Sequence, residues 1–154
     1  MKFSDFGYYP ILKTQPAEIK AYEYLSPTFK DRCAPISRLT TQANLKDFAK
    51  KIENAKEAVR SRPIICDLSD DLQDDANYQK LHSLKDPAND FEAWRQFCKS
   101  RSIDVPVLQV SEHATIQQIR NQAHKIEEDF GLVYILMGKK GLGYDAEVVK
   151  NALV

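Results

Sequence analysis

Apolar positions along this chain switch between two spacings. Short runs with little polar interruption alternate with longer stretches in which apolar residues recur at three and four positions. The short runs occupy residues 8–14, 33–39, 63–68, 104–110 and 132–137. They favour β-branched and aromatic residues, the composition of strands. Residues 63–68 and 132–137 are apolar almost throughout, as strands covered on both faces are. The longer stretches read as amphipathic helices. One carries Ile19, Tyr22, Tyr24 and Leu25, and the next Leu45, Phe48, Ala49, Ile52, Ala55 and Val59. A third carries Phe91, Trp94, Phe97 and Cys98, and a fourth Ile116, Ile119, Ala123 and Ile126. A last helix begins near Asp145 with Ala146, Val149 and Leu153 inward.

Punctuation supports these bounds. Pro16 fits a first helical turn, and Ser26-Pro27 breaks the helix before a short second one bearing Phe29 and Lys30. Asn44, Asp90 and Thr115 stand where N-caps belong, and Gly131 where a C-cap belongs. The order is strand then helix, five times over. That order predicts a single α/β domain over residues 1–154, with about five mainly parallel strands joined by right-handed crossovers. A partial (β/α) barrel and an open doubly wound sheet both satisfy the pattern.

Four strands share a loose repeat of proline, apolar residues and a polar end. The copies begin at Pro10, Pro35, Pro63 and Pro106, and end at Lys13, Arg38, Asp67 and Gln109. Parallel strands gather their C-terminal ends at one rim, where α/β proteins place their sites. A Lys and an Arg beside an Asp can hold a phosphate or a carboxylate, with Asp67 as general base or metal ligand. The same set also makes an ordinary ion-pair network. His113 follows the fourth strand and joins the candidates as an acid–base group, although it has no motif partner.

Other features point away from known chemistries. Asp70, Asp71, Asp74 and Asp75 lack the glycine and late glutamate of a calcium loop and read as a solvated acidic stretch. The sequence from Gly138 to Gly143 is neither a P-loop nor a dinucleotide fingerprint, and reads as a turn. The three histidines are scattered, so no metal and no cofactor is expected. Tyr8, Tyr9, Tyr22, Tyr24 and Phe29 crowd the N-terminal region, as core packing or as a binding surface. Cys33, Cys66 and Cys98 read as buried free thiols, which suits a reducing cytoplasm. Formal net charge is +0, which argues against a nucleic-acid partner. No apolar run is long enough to span a membrane.

The N-terminal text also carries a family resemblance. Tyr9-Pro10-Ile11-Leu12-Lys13, a helix with Glu18 and Leu25, Pro35-Ile36 opening a second strand, and a third strand with Asp67 resemble the "beta protein" family of bacteria and phages. The likeness is strongest over about the first 70 residues. It implies a TIM-barrel-like fold in a protein about twice as long, with no established activity. The pattern departs at Arg38, which stands near the place of an acid in such proteins. Five βα units would leave a barrel open unless a partner supplied more strands. The expectation is a phage or mobile-element interaction protein that binds a protein partner, or a second copy, without catalysis. The alternatives are a small enzyme acting on a phosphorylated or carboxylated ligand, and a nucleic-acid-binding module.

Overall fold

A computed structural model of the chain describes residues 6–40, 48–69 and 82–131. Strands β1 (Ile11–Lys13), β2 (Ile36–Leu39), β3 (Ile65–Leu68) and β4 (Val105–Pro106) form one parallel sheet in the order β1-β2-β3-β4. The helices are α1 (Pro16–Glu23), α2 (Pro27–Lys30), α3 (Phe48–Val59), α4 (Glu92–Ser100) and α5 (Ile116–Phe130). The expected fifth strand, the final helix, the glycine-rich turn, the Asn44 cap and the acidic stretch lie outside the described residues.

Each crossover moves the chain one strand onward, so strand order never reverses among the described residues. Side-chain alternation then divides the sheet into two faces. Leu39, Cys66, Leu68 and Leu108 pack with Ile19, Tyr22, Ile52, Val59, Trp94, Cys98, Ile119 and Ile126 from the helices. The opposite face holds Ala34, Ile36, Ile65, Val105 and Val107 with Phe6 and Tyr9, and among the described residues no helical residue joins this cluster. A doubly wound sheet reverses strand order at a switch point and carries helices on both faces. Among the described residues the sheet is open, with helices packed on one face, which is consistent with a partial barrel or an open sheet.

Register sharpens that reading. Ile11, Ile36, Ile65 and Val105 are successive Cα partners across all four strands. They make one β-branched row on the inner face, the kind of layer that fills a barrel interior. Lys13, Arg38 and Asp67 form the next row toward the strand ends. The proline repeat is therefore in phase only in part. Pro10 and Pro35 each precede the row, but Pro106 follows Val105 and pairs with Cys66. Val105 and Val107 give their N–H groups to Ile64 and Cys66, so the N–H that Pro106 lacks would have faced away from β3.

The strands are shorter than the apolar runs. Tyr8 makes only an isolated bridge to Cys33, and β4 has two residues where seven were expected. Side chains replace the ladder beyond β4. Trp94 Nε1 donates to the Val107 carbonyl at 3.0 Å, and the Gln109 N–H donates to Gln122 Oε1 at 2.8 Å. On the free side of β1, Glu18 accepts the Lys13 N–H at 2.7 Å, which covers an edge donor.

Most caps stand where the sequence puts them. Pro16 and Pro27 open their helices, and Ser26 caps α2. Thr115 and Gln118 form a capping box on α5, which Gly131 ends in the left-handed region. Asp90 is the exception. The Asn89-Asp90-Phe91 backbone is left-handed throughout and Phe91 is the N-cap of α4. Asp90 instead takes hydrogen bonds from Lys125 and Asn121 on α5, chiefly the Lys125 bond holding its carboxyl below the usual carboxylate range. The N-terminal aromatics divide: Tyr22 is core, while Tyr8, Tyr24 and Phe29 are exposed.

The inner row makes unequal demands on its members. Ile65 is fully buried and Ile11 is 45% exposed. Replacing Ile65 by Ala is expected to cost about 3 kcal/mol, and replacing Ile11 by Ala less than about 1 kcal/mol. Urea denaturation of the two variants checks the order; equal losses would show that the row is not a packed layer.

Candidate functional site at the strand ends

Three of the five candidate residues meet at the C-terminal end of the sheet. Arg38 leaves β2 and Asp67 leaves β3 at paired positions, and alternation puts both on the inner face. Arg38 Nε donates to Asp67 Oδ2 at 2.8 Å. Gln109, beyond β4 and 3% exposed, donates from Nε2 to Asp67 Oδ1 at 3.2 Å and to the Val107 carbonyl at 3.0 Å. The carboxylate is thus held on both oxygens. Neither Nη of Arg38 has a protein acceptor among the described residues, and the side chain is 18% exposed.

Burial dominates the electrostatics of Asp67. It raises the carboxyl above its ordinary range, against the Arg38 charge, the bonds from Gln109 and Arg38, and the charge of Lys85. Lys85 was missed from the sequence. It sits in the long polar connection after β3, where a lysine reads as solvated. In the fold it is buried, on a turn in which its N–H bonds to the His82 carbonyl.

The other two candidates stand apart from this network. Lys13 is the Cα partner of Arg38 and so extends the charged row by one strand. His113 does not join the hydrogen-bonded set. It is largely exposed beside Glu112, 3.4 Å away, and lines a cavity of about 480 Å³ with His82, Lys85 and Ser111. Lys85 is therefore shared between that cavity and the surroundings of Asp67. No group of three metal-binding side chains exists among the described residues. Burial pushes the thiols of Cys33, Cys66 and Cys98 up, which disfavours the thiolates that attack or ligate.

An inward charged row above a β-branched layer, on a sheet with helices on one side, describes a βα-repeat protein built like a barrel wall with a polar rim. The chain belongs to the Beta protein family, whose sequence profile matches residues 8–153. It is 27% identical over 126 residues to "Protein beta" of Enterobacteria phage P4. The match covers 82% of this chain and 35% of that protein, so the chain spans about a third of this relative. No solved structure matches. No helix among the described residues is long and apolar enough to cross a membrane.

The raised Asp67 carboxyl has a definite pH signature. Its stabilising contribution is complete below the ordinary aspartate range and is lost as pH rises through the raised folded value. In Asp67→Asn that ionisation is absent. The stability of the natural chain relative to Asp67→Asn should therefore be greatest at acid pH and shrink toward neutrality, measured by urea denaturation from about pH 4 to 7. A difference that grows with pH would mean that Arg38 outweighs burial.

Proposed function

We propose that this chain is an interaction module of the beta-protein type, phage-associated like its relative, which binds a protein partner at the C-terminal rim without catalysis. The observation that carries this reading is the double engagement of Asp67. A carboxylate held by Arg38 on one oxygen and Gln109 on the other is arranged as a fixed anchor for the partly exposed Arg38. Among the described residues, its hydrogen-bond partners are a guanidinium and an amide, not a hydroxyl or imidazole whose proton it could take. The buried thiols and the outlying His113, which pairs with Glu112 away from Asp67, support the same reading.

One observation favours a second reading, a small enzyme acting on a phosphorylated or carboxylated ligand. The rim residues do converge, and burial raises the Asp67 carboxyl toward the range where it exchanges protons. The two readings part on what remains bound and what is changed. Affinity capture from host lysate, with the natural chain and Arg38→Gln side by side, separates them. A stoichiometric protein retained by the natural chain and lost by Arg38→Gln is the expected result. A co-purifying small molecule that the natural chain converts and the variant does not would overturn it in favour of the enzyme. Capture indifferent to Arg38 would remove the rim from the interaction.

A further inference from the structure

We infer that Arg38 presents its two Nη groups to a carboxylate of the partner, so that the rim is a receptor for one planar monoanion. The inference rests on the rim as docking surface and names the chemistry it recognises.

A guanidinium serves as a specific fork only when its plane is fixed. Here a chain of bonds fixes it. Nε is tied to Asp67 Oδ2, Asp67 Oδ1 to Gln109 Nε2, and Gln109 in turn to the Val107 carbonyl and, through its N–H, to Gln122 of α5. Structural Arg–carboxylate pairs are frequently bidentate and then occupy the fork. This pair uses Nε at 2.8 Å and leaves both Nη groups without a protein acceptor among the described residues. Their donors remain available on a side chain that is partly exposed.

One further observation points to a ligand. Thr40, two residues beyond Arg38 along the same chain direction, is 4% exposed, and its Oγ1 has no hydrogen-bond partner. A buried hydroxyl without a partner requires an explanation, and a donor to a bound oxyanion is one. A carboxylate matches the planar fork of the Arg38 guanidinium. A phosphate dianion would bring a second negative charge toward Asp67.

The test is an NMR titration of the isotopically labelled chain with sodium acetate, against sodium chloride at equal ionic strength and against inorganic phosphate. Acetate should shift the Arg38 Nη and Thr40 amide signals saturably, while chloride does not. Arg38→Lys keeps the charge but loses the fork and should bind acetate about tenfold more weakly. Should that variant fail to fold, Thr40→Val keeps the shape, removes the hydroxyl, and should weaken acetate several-fold. Equal responses to acetate and chloride would overturn the receptor, and tighter binding of phosphate would overturn its assignment to carboxylates. Capture lost in Arg38→Gln without any acetate response would leave partner docking standing and the fork refuted. An acetate response with capture indifferent to Arg38 would do the reverse.

Discussion

A carboxylate buried at the end of a parallel strand constrains everything around it. Ionised and alone, Asp67 would carry a desolvation cost of several kcal/mol, so donors must reach it from more than one direction. They do so from separate elements. Arg38 comes from β2, Gln109 from beyond β4, and the charge of Lys85 from the connection after β3. Each of these contacts exists only if β2, β3 and β4 lie side by side in this register. The ion pair and the strand order therefore depend on each other, and Gln122 extends the dependence to α5 through the Gln109 backbone.

The row beneath explains why the network sits where it does. Ile36, Ile65 and Val105 fill the inner face at one level and are all but inaccessible. Polar groups at that level would lose water without gaining partners. One row further toward the strand ends, side chains still share the inner face, and exposure there is unequal. Arg38 is accordingly the partly exposed member and Asp67 the buried one. On the outer face there is no such gradient, because α1, α3, α4 and α5 cover the strands along their length.

The elements were largely legible in the sequence because their signals are local. The three-and-four spacing from Ile52 to Val59, the Thr115 and Gly131 caps, and the prolines at 16 and 27 each act within a turn of chain. The polar strand ends were legible for the same reason, since alternation assigns Lys13, Arg38 and Asp67 to one face once the register is known. What was not legible depends on distant residues. Asp90 looks like a cap in sequence, but Lys125 and Asn121 compete for its carboxylate across 31 to 35 residues of chain. Lys85 has no periodic signal at all, and only the folded connection buries it. The proline repeat misled at its fourth copy, because Pro106 occupies a ladder position that the first three prolines precede.

The departure at Arg38 bears most directly on function. The sequence resemblance leads to the expectation of an acid near this place, where the chain has Arg38, the Cα partner of Asp67. Two carboxylates at adjacent positions on a buried inner face repel, and one of them holds its proton far above the ordinary range. Such a dyad is a proton-transfer device. An arginine in the same position acts the other way: its charge and its Nε bond favour the ionised Asp67 carboxylate, against the burial that raises the group. What it adds is a pair of donor groups held in place by that very bond. An arginine here thus replaces like-charge repulsion across the β2–β3 register with an ion pair, and the partner-binding role proposed for the rim rests on that pair.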